Sequence, residues 1–339
     1  MASPVNASGI DEEALADYLS ETLGLTGKPE IAPISGGQSN PTFFVTCEGR
    51  RLVLRKQPDG PLQKGAHAVD REFRVLSALA GTDVPVPGPV AYCDDKTILG
   101  TPFYLMERIE GRVFHEASLP GLSPQERHGI YLSMGEAMAR LHAVRPDMIG
   151  LSDYGRPGNY FERQLARWGR QWHESGLSGM PEIDRLETWL LANLPEDDGA
   201  ISIAHGDFRL GNLIFAHDSP KVVGILDWEL STLGHPLADL GFCCMAWRTL
   251  PQEYGGIRGL GLPALGIPPR EEFLREYYNH ARPTAALEPF HEAFALFRFA
   301  VIFVGIAERS RLGNAVGERA AKLEHLAPAF ARRGLELIA

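Results

Sequence analysis

The sequence predicts an α+β chain of two lobes, a small β-rich one followed by a larger, mainly helical one. Three observations carry this expectation. The chain has 339 residues, more than one hydrophobic core usually organises. Its first part holds four runs rich in β-branched and aromatic residues, Thr42–Cys47, Arg51–Arg55, Val90–Cys93 and Phe103–Met106, which is the composition of strands. Beyond them, most segments read as helices. The expected division is 1–107 and 108–339.

The elements follow in order. Asp11 is placed to cap an opening helix with Glu12 and Glu13 at its positive end and Leu15, Tyr18 and Leu19 on one face. A glycine-bearing loop, Ser35–Asn40, precedes a hairpin that turns at Glu48, Gly49 and Arg50. His67–Ala80 reads as a helix with Val69, Phe73, Leu76 and Leu79 at spacings of three and four, stopped by Pro85, Pro87 and Pro89. Ser123-Pro-Gln-Glu126 is a capping box with proline at the first helical position, opening a helix to about Leu141. Further helices are expected over Tyr160–Trp172, Ile183–Leu191, Leu237–Trp247, Arg270–His280 and Pro289–Arg309, with the last near Gly317–Leu337. Three short strands interrupt this half, at Ile201–Ile203, Asn212–Phe215 and Val222–Leu226, and Gly255–Pro269 reads as a long loop.

Composition narrows the function. The net charge of -10, from 33 basic and 43 acidic residues, lacks the basic footprint of a nucleic-acid binder. Cys47, Cys93, Cys243 and Cys244 show no zinc spacing and read as reduced thiols. The acidic N-terminus lacks the apolar stretch of a signal peptide. The longest apolar run, Phe294–Ala307, contains Arg298 and is short for a membrane span, so a buried helix is expected. No nucleic-acid or membrane partner is expected, the localisation expected is cytoplasmic, and the oligomeric state is left open. No Walker motif and no G-x-S-x-G elbow is present.

The chemistry concentrates in four segments. His205-Gly-Asp-Phe-Arg-Leu-Gly-Asn212 has the shape H-x-D-x-x-x-x-N. In phosphoryl transfer that Asp accepts the proton of the attacking hydroxyl and that Asn binds magnesium. Val222-Val-Gly-Ile-Leu-Asp227 is an apolar strand that delivers a carboxylate at its end, where a second hard-oxygen ligand belongs. Upstream, Arg55 ends a strand and Glu72 sits on the next helix. A cation paired with a helix glutamate is how kinases hold the α- and β-phosphates. Lys56 competes with Arg55 for this role. Arg55 is preferred, since Val53 would share its face and could pack on adenine. Backbone N–H groups around Gly36 and Gly37, with the Ser39 hydroxyl, could cradle phosphates. Alone, the loop also reads as a plain turn and the Arg55–Glu72 pair as a surface salt bridge.

Together these segments resemble the aminoglycoside-phosphotransferase and choline-kinase superfamily of kinase-like enzymes. HGDFRLGN and ILDWE match its catalytic loop and metal-binding segment. LVLRKQP, AHAVDREFRVL and HGDFRLGNLIF look most like the kinase-like domain fused to acyl-CoA dehydrogenases in animals. The resemblance implies a bilobal protein-kinase-like fold using ATP and Mg2+, with a nucleotide-binding N-terminal lobe and an acceptor site in the C-terminal lobe. It implies Asp207 as catalytic base, Arg209 against the transferring phosphoryl group, and Asn212 and Asp227 as magnesium ligands. Met106 would end the strand before the hinge, Glu107 and Ile109 would bond adenine through their backbones, and Leu226 would join the nucleotide site. Asp239 would brace the catalytic loop. The sequence departs from protein kinases in Asp227-Trp-Glu229, which replaces D-F-G, and in the short stretch to Pro236, which leaves no activation loop. That favours a small-molecule hydroxyl acceptor, a hydroxyacyl-CoA or other metabolite, or an aminoglycoside. Arg248, Arg258, Arg298, Arg309 and Arg311 are candidates for a CoA-phosphate patch or ordinary surface charges. Trp168 and Trp172 are candidates for an acceptor pocket or for helix packing. The alternative is a catalytically silent nucleotide-binding or interaction module.

Overall fold

The computed structural model describes residues 9–34, 40–60, 67–177, 179–282, 284–311 and 325–339. The chain divides into two compact units, 1–112 with 223–230, and 113–222 with 231–339. The expected single cut at 107/108 differs from this division in two ways. The first unit runs five residues further, and it regains an eight-residue segment from the middle of the chain.

The first unit is built on a five-stranded antiparallel sheet. Its strands are β1 (Glu30–Pro33), β2 (Thr42–Cys47), β3 (Arg50–Lys56), β4 (Pro89–Cys93) and β5 (Phe103–Glu107), in the order β1-β2-β3-β5-β4. Side chains alternate between its faces. One face carries Phe43, Val45, Leu52, Leu54, Phe103 and Leu105. They pack with Leu15 and Leu19 of helix α1 (Glu12–Leu23) in one buried cluster. Asp11 caps α1 as expected, accepting from the N–H groups of Glu13 and Ala14. On the other face lie Val53, Arg55 and Tyr104, toward helix α2 (Val69–Leu79), whose Phe73 ring sits 5.9 Å from that of Tyr104. A short helix α3 (Lys96–Leu99) links β4 to β5. The sequence reading missed β1. It is a four-residue edge strand ending in proline and largely exposed, so it shows neither alternation nor a β-rich run.

The second unit is mainly helical. Helix α4 (Pro124–Ala143) starts at Ser123, whose hydroxyl accepts from Glu126 N–H while the Glu126 carboxylate returns to the Ser123 N–H, the expected capping box. Helices α5 (Tyr160–Glu174) and α6 (Pro181–Ala192) follow. Strands β6 (Ser202–Ala204), β7 (Leu213–Phe215) and β8 (Val222–Ile225) come next, β8 carrying the chain into the first unit. Strand β9 (Thr232–Gly234), which the sequence did not reveal, pairs antiparallel with β6. It is three residues long, too short to establish a period. Helix α7 (Pro236–Arg248) is followed by a segment read as a loop that holds one short helix, α8 (Leu262–Leu265). Then come α9 (Arg270–His280), α10 (Pro289–Arg311) and α11 (Leu326–Ile338). Part of the last expected helix, 317–324, lies outside the described residues.

Helix α10 corrects one expectation. Pro289–Glu308 is long and apolar enough to cross a membrane, so length does not exclude a span. Instead 83% of its most apolar stretch is buried inside the protein, packed against α11, α7, α5 and α6. A core helix passes the same length and composition test.

Candidate active site

The first unit contributes a charged cluster on the α2 face of its sheet. Arg55 reaches Glu72 at 2.8 Å through Nε and Asp227 at 2.7 Å through Nη2, with Glu229 at 3.7 Å. Glu72 is buried and accepts from Asn40 Nδ2 at 2.7 Å and from the Tyr104 hydroxyl at 3.1 Å. Burial pushes the Glu72 carboxyl up to about 7, against the pull of Arg55. Burial would lower the Arg55 guanidinium, but Glu72, Tyr104, Asp227 and Glu229 outweigh it and raise it.

This geometry separates Arg55 from its rival. Lys56, one residue on, points to the opposite face, where its buried Nζ donates to the Leu99 carbonyl at 3.1 Å and meets Asp59 at 3.3 Å. Val53 shares the face of Arg55 and is buried. Met106 lies opposite Val53 on β5 and is also buried. Glu107 gives its own N–H to the Gly88 carbonyl at 2.8 Å, so that N–H is already engaged, and its carboxylate accepts from Arg50. Ile109 follows the end of β5, in irregular backbone beyond the strand. Gly36, Gly37 and Ser39 lie outside the described residues.

Asp227 has an unusual backbone. Its φ of +65° is left-handed, a conformation that few residues other than glycine adopt and that aspartate tolerates better than most. The neighbouring indole holds the turn, with Trp228 buried and its Nε1 donating to the Ile225 carbonyl at 3.0 Å. Such outliers cluster where a side chain must be aimed, and here it aims the carboxylate at Arg55. Leu226, just before it, is half-buried.

The second unit contributes the loop between β6 and β7. Gly206 takes a left-handed φ of +84°, which glycine adopts without cost. Asp239 on α7 receives the His205 N–H at 2.6 Å and the Gly206 N–H at 2.9 Å, and His142 approaches the same carboxylate at 3.3 Å. Burial would raise Asp239, but the hydrogen bond from His142, the charges of His142 and His205, and the Gly206 N–H hold it below the usual carboxylate range. The expected brace is therefore present as geometry. Asn212 Nδ2 donates to the Asp207 carbonyl at 2.9 Å and to its carboxylate at 2.8 Å, while Arg209 Nε reaches that carboxylate at 3.1 Å. Asp207, Arg209 and Asn212 are thus brought together. Asn212 and Asp227 belong to different units.

A cavity of about 420 Å³ opens beside this loop within the second unit. Phe208–Gly211 form one wall, and Met134, Trp247, Tyr254, Phe299 and Phe330 line much of the rest. Among the described residues, no Asp or Glu lines it. Neither tryptophan of α5 lines it. Trp172 is buried and donates to Asp184 on α6 at 2.7 Å, while Trp168 lies under Arg298. Three of the arginines considered for a phosphate patch are engaged elsewhere. Arg248 pairs with buried Glu292, Arg258 with Glu336, and Arg298 donates to the Gly206 carbonyl. No sequence signal marks the roles of Asn40, Tyr104 and His142, because each acts through a contact between distant elements.

The match to a family model completes the description. The model described as "Phosphotransferase enzyme family" matches residues 30–290. The chain belongs to this family. Mouse acyl-CoA dehydrogenase family member 10 is 42% identical over 312 residues, covering 90% of this chain and 29% of that protein. The probable acyl-CoA dehydrogenase IBR3 of Arabidopsis thaliana is also 42% identical, covering 93% of this chain and 41% of its own length. The phosphotransferase-family chain thus spans less than half of these curated relatives. A crystal structure of a candidate aminoglycoside phosphotransferase from Ralstonia eutropha JMP134 superposes with a TM-score of 0.88 at 42% identity, covering 97% of this chain and 98% of that one. Macrolide 2'-phosphotransferase MphH from Brachybacterium faecium, at 18% identity and a TM-score of 0.62, shares the fold. The kinase-like α+β fold and the phosphotransferase class follow.

Magnesium suits the donors this family member offers. Asp227 and Asn212 carry hard oxygens, and magnesium is commonly held by one or two protein ligands with phosphates and water completing its shell. Among the described residues, no three of His, Cys, Asp and Glu gather as a closed metal cage.

Proposed function

We propose that this chain transfers the γ-phosphoryl group of ATP, with Mg2+, to the hydroxyl of a small molecule. The observation that carries the reading is the loop Asp207–Asn212, in which one carboxylate is fixed by an amide at 2.8 Å and a guanidinium at 3.1 Å. Asp207 accepts the proton of the acceptor hydroxyl. The hydroxyl oxygen bonds to the γ-phosphorus, the bond from phosphorus to the β,γ-bridging oxygen breaks, and ADP leaves with that electron pair. Arg209 lies against the transferring group. Arg55, steadied by Glu72, binds the α- and β-phosphates and exchanges its contact with Asp227 for phosphate. Val53, Met106 and Leu226 pack on adenine, and Glu107 and Ile109 meet it through their backbones. Asn212 and Asp227 would hold magnesium, which would neutralise charge on the phosphates.

The cavity beside the loop favours an acceptor with an apolar body, such as a hydroxyacyl thioester, over an aminoglycoside. Among the described residues its walls are largely apolar and aromatic and carry no carboxylate, whereas a polycation needs anionic partners. The test is ADP release by the purified protein against hydroxyacyl-CoAs, choline, sugars, homoserine and aminoglycosides, with Asp207→Asn as control. Release with a hydroxyacyl-CoA, lost in the control and on chelation, is expected. Turnover of aminoglycosides alone would overturn the acceptor class. No turnover and no magnesium-dependent thermal shift with ATP would overturn the kinase reading in favour of a silent module.

A further inference from the structure

Three successive carbonyls of the catalytic loop are each held by a side chain. Asn212 Nδ2 takes that of Asp207 at 2.9 Å, Cys243 Sγ takes that of Phe208 at 2.9 Å, and Arg298 Nη2 takes that of Gly206 at 2.8 Å. The first two come from the loop itself and from neighbouring α7. The third is different, because it comes from 92 residues away on α10 and is a cation. Gly206 is thereby gripped on both sides, with its N–H on the Asp239 carboxylate and its C=O on the Arg298 guanidinium. That C=O belongs to the peptide bond leading into Asp207.

Arg298 is held for this task. Its guanidinium lies 5.6 Å from the centre of the Trp168 ring, within the range of cation–π attraction. Its Nε is buried and finds no acceptor among the described residues, and the same holds for Trp168 Nε1. Leaving a buried donor unmatched is costly, so the placement is not one that stability alone would choose. Unmatched groups of this kind call for a specific explanation.

We infer that Arg298 is a positioning residue, which fixes the orientation of the Asp207 carboxylate by clamping the Gly206 carbonyl, with Trp168 as the platform under its guanidinium. A cation at that oxygen polarises the Gly206–Asp207 amide and stiffens the link between the Asp239 brace and the base. This inference rests on the proposed role of Asp207.

The test compares Arg298→Lys, Arg298→Met and Trp168→Leu with wild type, using the acceptor found by the panel and magnesium–ATP. Arg298→Met should lower kcat about 30-fold, since a small misplacement of a reacting group costs up to about 100-fold. Its KM for ATP should stay within about twofold of wild type. Arg298→Lys, which can still donate to one carbonyl, should recover most of kcat, and Trp168→Leu should fall between them. Added guanidinium ion should partly restore Arg298→Met. Arg298→Met keeping more than half of kcat would overturn the inference, as would equal losses in the Lys and Met variants that simply follow their melting temperatures. Hydrogen exchange at the Gly206 and Asp207 amides separates this from failure of the kinase reading. Should wild type turn over no acceptor, faster exchange in Arg298→Met but not in Arg298→Lys still supports the clamp, and unchanged exchange overturns it.

Discussion

A general base speeds a reaction by accepting a proton as the attacking bond forms, typically by a factor of about 10²–10⁴. Asp207 has the surroundings for this, with an amide and a guanidinium on its carboxylate and its backbone fixed on both sides. Asp207→Asn should therefore lower kcat by about that factor while the Kd for magnesium–ATP, measured by calorimetry, stays unchanged. Also at this scale, Arg55 and Lys56 are adjacent in sequence and face opposite ways on β3. Arg55→Ala should weaken ATP binding at least about tenfold with a modest loss of stability, since it removes the cation shared by Glu72, Asp227 and Glu229. Lys56→Met should do the reverse, lowering the melting temperature while leaving the Kd for ATP within about twofold. Reversed effects would reassign the phosphate-binding cation.

Helix contacts set the next scale. Helix α7 carries Asp239, and its position depends on how closely it can approach α10. Gly241 is the reason it comes so near. A Cβ at that position would lie 2.6 Å from the His291 carbonyl oxygen and 2.8 Å from its carbon. Backbone atoms cannot yield as a flexible side chain can, so the helices would have to separate. Gly241→Ala should destabilise by about 1–3 kcal/mol, despite the better helix propensity of alanine. It should also lower kcat by moving the brace under His205 and Gly206. A melting temperature equal to or above that of wild type would refute this account of the contact. The same scale explains two misses in the sequence reading. β1 and β9 are strands of four and three residues that exist because a neighbouring strand offers them a ladder. The long helices α4 and α10 were legible because a capping box opens the one and a long apolar run marks the other.

At the scale of the whole molecule, pH acts through buried imidazoles. Burial lowers His291 from 6.5 to about 4, with the nearby His235 adding to it, and His235 is itself lowered mainly by burial. Between pH 6.5 and about 4 the unfolded chain binds protons at these positions that the folded chain refuses, so stability rises with pH across that window. Asp239 acts in the same direction at lower pH. Its stabilisation is present above its ordinary value of 3.8 and is lost as pH falls through its depressed folded value. The melting temperature should therefore decline steadily as pH falls from 6.5 toward 4. His291→Gln keeps an acceptor for the Glu288 N–H and should remove up to about 3 kcal/mol of that decline. An equally steep profile in the variant would show that His291 is not a source of it.

The sequence by itself determined the kind of fold and marked the residues from which the site's chemistry is proposed. Asp207, Arg209 and Asn212 are near neighbours in the chain, so their spacing alone could announce a catalytic loop, and the change from β-rich runs to helical period announced two units. Only the tertiary structure decided what distant residues do for the loop and for the Arg55–Glu72 cluster. Arg298 reads in sequence as one of several scattered arginines, Asn40 as a loop polar residue, and Asp239 as a brace only through the family resemblance. Each gains its role from a partner 32 to 92 residues away. A motif is local because backbone geometry fixes what nearby side chains can share. Clamps and cavity walls are non-local because they form where packed elements meet, and a one-dimensional pattern does not record that meeting.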